Sequence, residues 1–140
     1  MKKRGSNPED YVKGNENILY PKWEKGHYKG GIGEYDRLEQ ARKINREAAD
    51  ASASWGMFQI MGFNYAACGE ESIESFVRSM CESEFKQLLL TANFIKKNSQ
   101  MLQALQARDW AVFAKCYNGP AYAQNRYDVK LEAAYQKYSL

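Results

Sequence analysis

Apolar residues recur at intervals of three and four residues along most of this chain, and this spacing restricts the folds that it can adopt. The pattern begins near Glu34 and continues to the C-terminus. Side chains at this spacing share one face of an α-helix. Since no apolar/polar alternation of useful length accompanies the pattern, the sequence predicts a mainly α fold with about six short helices. The first apolar stripe comprises Tyr35, Leu38, Ala41, Ile44 and Ala48.

The opposite face of that first helix carries charged residues and is predicted to be a solvated surface. These residues are Asp36, Arg37, Glu39, Arg42 and Lys43. Further along, Ser72 and Ser99 are predicted N-caps of later helices, because serine at this position accepts a backbone hydrogen bond. Asn118-Gly119-Pro120 is predicted to end the helix that begins near Trp110, and a last helix starts near Tyr127.

Residues 1–33 differ from the rest of the chain, because they are rich in glycine, contain Pro8 and Pro21, and have few aliphatic residues. This composition predicts an irregular N-terminal segment. Tyr20 and Trp23 are expected to pack this segment on a helical domain formed by residues 34–140. A length of 140 residues suits a single domain overall.

Charge and histidine content exclude several classes of function. The net charge of +3 only weakly favours a polyanionic partner. Lys2-Lys3-Arg4 is the single basic cluster, so nucleic-acid binding is not expected. With His27 as the one histidine and no paired-cysteine spacing, neither a metal site nor a cofactor is expected. No stretch approaches the roughly 20 apolar residues of a membrane span.

Cys68, Cys81 and Cys116 are an odd set of cysteines. Buried free thiols are the expected state, and a Cys68–Cys81 disulfide is left open. Residues 1–10 contain basic side chains without a following apolar run, so no signal peptide is predicted.

The run Ser54-Trp55-Gly56-Met57-Phe58-Gln59-Ile60-Met61-Gly62 combines apolar residues with two glycines, a hydroxyl and an amide. We expect it to form a short turn or helix. Gly56 would let a ligand approach the backbone, and Gln59 offers donors and an acceptor. Such a surface suits a carbohydrate. The alternative is a buried turn between helices in which Gln59 is satisfied internally.

A second unusual stretch is Tyr117-Asn118-Gly119-Pro120-Ala121-Tyr122. Asn118 could bind a ligand that Gly119 lets come close, with Tyr117 and Tyr122 as walls. The alternative is a helix C-cap that needs no ligand.

Taken in order, these motifs resemble the N-acetylmuramidase domain of phage endolysins, in the lysozyme-like superfamily. The matching segments are Glu34–Leu38, Ala53–Asn64, Ser83-Glu84, Arg108–Trp110, Tyr117–Pro120 and Tyr127–Leu131. The resemblance implies a lysozyme-like helical domain that hydrolyses the bond from N-acetylmuramic acid to N-acetylglucosamine in peptidoglycan. It places substrate binding at Ser54, Gly56, Gln59, Tyr117, Asn118, Gly119 and Tyr122.

Glycoside hydrolysis needs a carboxylic acid that stays protonated near neutral pH. In the family this glutamate lies in a Glu-Ser-Gly stretch near the start of the domain, and no such stretch precedes Glu34. The catalytic residue is therefore unassigned and the domain is expected to be N-terminally incomplete. The alternative is a non-catalytic, peptidoglycan-binding remnant. A relocated acid at Glu34, Glu39 or Glu47 is disfavoured because the surrounding residues are charged.

The resemblance also implies where the protein acts. We expect it in the cytoplasm of a bacterium or a phage-infected cell, without a signal peptide, acting on the cell wall. If an opening helix is missing, the apolar face that it would cover favours self-association.

Overall fold

A computed structural model describes residues 7–20, 22 and 26–139; Pro21, Trp23 and the Lys2–Arg4 cluster lie outside this part of the chain. The α-helices are α1 (Gly33–Ser52), α2 (Ile73–Glu82), α3 (Glu84–Lys97), α4 (Ser99–Ala107), α5 (Trp110–Asn118) and α6 (Tyr127–Tyr138). Short 3₁₀ helices span Pro8–Tyr11, Gly62–Asn64 and Pro120–Asn125, and two strands, β1 (Ser54–Trp55) and β2 (Ile60–Met61), pair in a hairpin. The mainly α, lysozyme-like helical prediction is confirmed. The chain divides into two compact units, residues 1–88 and 89–140.

Side-chain caps define where several helices begin. Ser72 Oγ accepts a 3.1 Å hydrogen bond from the backbone N–H of Ser75, as predicted for the start of α2. For α4 the prediction of Ser99 is wrong, because the cap is Asn98, whose Oδ1 accepts from the N–H of Met101 at 3.0 Å. Asparagine and serine cap equally well, so composition alone does not choose between neighbours.

Helix α1 is broken at Asn45, where the backbone is extended (φ −161°, ψ 104°). Asn45 Oδ1 accepts a 2.8 Å hydrogen bond from the N–H of Ala48, so its side chain caps the second half of the helix. The apolar spacing predicted one uninterrupted helix here. The break arises because an asparagine side chain can replace the helical backbone bond.

The run from Ser54 to Gly62 forms a hairpin, so the expected turn is present at residues 56–59 and the helix alternative is wrong. Ser54 pairs with Met61 and Trp55 with Ile60, and the loop between them has left-handed backbone at Gly56 (φ 70°) and Gln59 (φ 54°). These two positions reverse the chain within four residues, which a helix cannot do. Trp55 and Ile60 point into the protein and are buried.

In residues 1–88, α1, the hairpin and α2 contribute buried side chains that include Ala48, Trp55, Ile60, Ile73 and Phe76. In residues 89–140, Met101, Ala104 and Phe113 form a buried cluster that α4 and α5 supply. The three cysteines are free, and Cys68 is buried as expected. The expectation is wrong for Cys81, which is exposed on α2, because its position lies off the apolar stripe of that helix.

Candidate functional site

A cleft of about 850 Å³ lies within residues 18–61. Its walls come from α1, from residues 18–20, 28 and 31, and from the hairpin. Its volume is within the range of roughly 300–1,000 Å³ found for small-molecule sites. The aromatic lining residues are Tyr20, Tyr28, Tyr35 and Trp55, and the polar ones are Glu34, Arg37, Asn45, Ser52, Ser54 and Gln59.

Glu34 is fully engaged at the start of α1. Its Oε1 accepts hydrogen bonds from the backbone N–H groups of Lys29 (2.5 Å) and Gly30 (2.9 Å), and its Oε2 lies 2.6 Å from Arg37 Nη1. Partial burial raises the pKa of Glu34, but the Gly30 and Lys29 N–H groups together with Arg37 outweigh it and lower the pKa below the ordinary value. A carboxylate in this state does not fit the role of a proton donor at neutral pH.

The other two acids considered from the sequence, Glu39 and Glu47, are not among the residues that line the cleft. Glu39 Oε1 pairs with Arg42 Nη1 at 2.6 Å and is mostly exposed. Neither side chain therefore meets the requirement for a carboxylic acid in an apolar pocket of this cleft.

Arg37 is the least expected member of the lining, because the sequence placed it on a solvated face. Its side chain is only 11% exposed. Nη2 donates to the backbone oxygen of Asn17 at 3.0 Å, and the guanidinium lies 4.9 Å from the centre of the Tyr28 ring. Arg42, on the same predicted face, is 17% exposed because it pairs with buried Asp50. The solvated-face prediction is wrong for both arginines, because each has a carboxylate partner on α1.

Ser54 and Gln59, two of the residues predicted to bind substrate, both line the cleft. Gln59 Nε2 donates to the backbone oxygen of Gly56 at 2.9 Å, so part of its amide is satisfied inside the turn. Its Oε1 is the atom with which it can accept a hydrogen bond from a ligand. Ser54 Oγ donates to Met61 Sδ at 3.1 Å across the hairpin.

The structure gives Gly56 a structural role in addition to the predicted one. A Cβ there would lie 2.8 Å from Gln87 Oε1 and 3.0 Å from Met80 Sδ. Gln87 bridges the hairpin and α2: Oε1 accepts from the N–H of Met57 and Nε2 donates to the oxygen of Met80, both at 2.8 Å. Sequence reasoning missed Gln87. The sequence offered one signal, a polar residue between the apolar residues Phe85 and Leu88 of α3.

The remaining predicted residues lie at the end of α5. Tyr117 is half-buried and packs against Phe113 with ring centres 5.7 Å apart. Asn118 is the last residue of α5 and is exposed, and Gly119 follows with φ 85° and ψ 179°. Tyr122 is half-buried and its N–H donates to the oxygen of Gly119 at 3.1 Å. This geometry matches the helix-end alternative.

Ser54, Gly56 and Gln59 thus belong to residues 1–88, and the other four predicted residues belong to residues 89–140. A groove that combines the two sets stays a prediction. Among the residues that the structure describes, no cluster of three or more potential metal ligands is found. Within the same residues, no helix has the length and apolar character needed to cross a bilayer.

Comparison with known proteins relates the chain to one family. The Muramidase family, described as N-acetylmuramidase, matches residues 1–139. Among solved structures, the chain is similar to the Burkholderia AP3 phage endolysin, with a TM-score of 0.83 and 41% sequence identity over 94% of this chain. That alignment covers 50% of the endolysin, so this chain spans about half of its length. No match was found among curated proteins.

Proposed function

From the premise that this chain belongs to the N-acetylmuramidase family, we propose that it is a peptidoglycan-hydrolase domain of the endolysin type. Its substrate is the bacterial cell wall, and the bond concerned joins N-acetylmuramic acid to N-acetylglucosamine. The glycan binds in the cleft of residues 18–61. The observation that carries this proposal is the combination of four aromatic residues with the Ser54 hydroxyl and the Gln59 amide around one cleft.

The cleft chemistry suits a sugar chain. Aromatic rings offer flat apolar faces to the C–H groups of a sugar, while their polar edges tolerate water. Tyr35 is 66% exposed, so its face is available to a ligand. Gln59 Oε1 accepts from a sugar hydroxyl, and Ser54 Oγ can exchange its weak bond to sulfur for a stronger one to oxygen.

The proton donor for hydrolysis is not found among the described lining residues. Glu34 is the one carboxylate among them, and it is held ionised by two N–H groups and Arg37. Protonation of the leaving oxygen requires a neutral carboxylic acid. This observation favours a second candidate function, in which this polypeptide binds peptidoglycan without cleaving it.

One experiment separates the two functions. Purified Gram-negative peptidoglycan is incubated with the protein, and the sedimented protein and the released muropeptides are both measured. Retention with release of fragments that end in reducing N-acetylmuramic acid supports the muramidase. Retention without release supports the binding domain. The absence of both retention and release contradicts both functions.

Variants then test the site. We expect Gln59→Ala and Ser54→Ala each to lower retention on peptidoglycan about tenfold, since each removes a hydrogen bond to the ligand. Gln103→Ala, at an exposed position of α4, is the matched control and should leave retention unchanged. Equal retention of Gln59→Ala and Gln103→Ala would remove Gln59 from the site.

The contribution of the α5 end is tested in the same way. We propose that Asn118, with Tyr117, Gly119 and Tyr122, also contacts the glycan. Asn118→Ala should then lower retention, whereas Asn125→Ala, an exposed asparagine in the following 3₁₀ helix, should not. Unchanged retention of both variants would confine the site to the cleft of residues 18–61.

We further propose that the protein reaches the wall from the cytoplasm of a bacterial or phage-infected cell.

We also propose that the protein self-associates through an uncovered apolar face. Light scattering over a concentration series measures it, and a constant monomer mass contradicts it.

A further inference from the structure

Resting on the function proposed above, we propose that Glu34 and Arg37 are positioning residues that hold the Tyr28 wall of the cleft against α1. The arrangement is called the Glu34–Arg37 clasp below. It assigns to Glu34 a task other than acid catalysis, and it gives a buried arginine a role in glycan binding.

The clasp holds the chain on either side of the Tyr28 wall, which carries the lining residues Tyr20 and Tyr28. Glu34 Oε1 accepts from the N–H groups of Lys29 and Gly30, which directly follow Tyr28. Arg37 Nη2 donates to the backbone oxygen of Asn17. Glu34 and Arg37, one turn apart on α1, therefore hold the chain at Asn17, before Tyr20, and at Lys29 and Gly30, after Tyr28.

Arg37 also acts on the Tyr28 ring itself. Its guanidinium carbon lies 4.9 Å from the ring centre, within the range of a cation–π contact. Because Nη1 is bound to Glu34 Oε2 at 2.6 Å, the plane of the guanidinium is fixed, and so is the face that it presents to Tyr28. Lysine cannot make both contacts with one planar group.

The buried Arg37 Nε has no hydrogen-bond partner among the described residues. An arginine that leaves one N–H unsatisfied is not optimised for stability alone. The free-energy cost of the unpaired Nε is consistent with an Arg37 side chain whose position is set by its contacts with Tyr28 and Asn17.

Hydrogen exchange tests the clasp without reference to any ligand. In the 140-residue chain, the amide hydrogens of Lys29 and Gly30 should exchange more slowly than is usual in an irregular segment. Glu34→Ala should speed their exchange about tenfold or more, since each loses a bond to a charged acceptor. Unchanged exchange at both amides would show that no clasp exists.

Peptidoglycan retention then tests what the clasp is for. Glu34→Gln keeps an acceptor but loses the ion pair, and Arg37→Lys keeps the charge but loses the fixed plane. Both should weaken retention on purified peptidoglycan about five- to tenfold, with thermal unfolding still cooperative. Faster exchange with undiminished retention would show that the clasp does not serve the glycan site.

Glu39→Gln is the matched control. The Glu39–Arg42 pair has the same 2.6 Å length and the same spacing on α1, but neither residue is among those that line the cleft. This variant should alter neither amide exchange nor retention. If the wild-type protein itself is not retained, the proposed function fails, while the exchange data still decide whether the clasp exists.

Discussion

The indole Nε1 of Trp55 donates a 2.9 Å hydrogen bond to the backbone oxygen of Asp50, in a buried environment. This bond fixes the first strand of the hairpin to the last turn of α1. The Asp50 carboxylate is also buried, and its Oδ1 lies 2.6 Å from Arg42 Nε. Since the hairpin carries Ser54 and Gln59, this contact sets the position of one wall of the cleft.

We expect Trp55→Phe to lower the free energy of unfolding by about 1–3 kcal/mol, because the Asp50 oxygen is left buried without its donor. Urea unfolding followed by circular dichroism measures this loss. Tyr35→Phe, at an exposed ring, is the control and should change stability by less than about 0.5 kcal/mol. Equal stability of the two variants would contradict the structural role of the indole bond.

Gly62 occupies a position with no room for a side chain. A Cβ there would overlap the backbone oxygen of Asp50 and lie 2.8 Å from Ile73 Cδ1. We expect Gly62→Ala to cost about 3 kcal/mol or more, or to prevent folding, because backbone and core must both move. Urea unfolding, or the soluble yield where the variant does not fold, measures the loss.

Gly119→Ala offers the comparison, since no atom lies within 4 Å of a Cβ at that position. Its cost comes from the backbone alone, whose φ of 85° and ψ of 179° suit glycine. We expect about 1–3 kcal/mol. A larger cost at Gly119 than at Gly62 would contradict the packing argument.

Gly56 and Gln87 should behave as a coupled pair. Gly56→Ala brings a Cβ within 2.8 Å of Gln87 Oε1, and Gln87→Ala removes that clash while leaving the Met57 N–H unpaired. We therefore expect the double variant to be more stable than the sum of the single losses predicts, by about 0.5–3 kcal/mol. Additive losses in a double-mutant cycle would show that the two positions are independent.

The three thiols should differ in reactivity. Burial, aided by the nearby Glu70 charge, raises the pKa of Cys68 to about 11. Ellman's reagent at pH 8 should therefore modify exposed Cys81 quickly and Cys68 only after unfolding. Rapid loss of all three thiols in the native state would contradict the burial of Cys68.

The same pKa shift predicts how stability depends on pH. The folded-state pKa of Cys68 lies above the ordinary thiol value of about 9, so folding favours the neutral thiol. The stability that this provides is complete below about pH 9 and is lost as the pH rises through 11. The free energies of unfolding of wild type and Cys68→Ala, measured in urea, should therefore converge between pH 9 and 11. A constant difference between them over this interval would contradict the raised pKa of Cys68.

The sequence predicted the helices well because their apolar stripes are local. It failed where tertiary contacts decide the local structure. Asn45 interrupts an intact stripe, and the hairpin depends on Gln87, which lies 30 residues from the Met57 amide that it binds.

The candidate site was predicted in part for the same reason. Ser54 and Gln59 have a distinctive neighbourhood in the sequence, so they were found. Arg37 and Tyr28 were not, because a charged residue on a helix is usually solvated and a tyrosine in a glycine-rich stretch carries no pattern. Arg37 is held at the cleft by Glu34 and Asn17. The chain next to Tyr28 is held by the hydrogen bonds from Lys29 and Gly30 to Glu34.

The break at Asn45 divides α1 into two helical arms that meet at one residue with extended backbone. The first arm carries Glu34 and Arg37, and the second carries Ser52 at the entrance to the hairpin. The angle between the arms, and with it the width of the cleft, is therefore set by two backbone torsions and one 2.8 Å bond from Ala48. A substitution at this one position could reshape the cleft without touching any other lining residue.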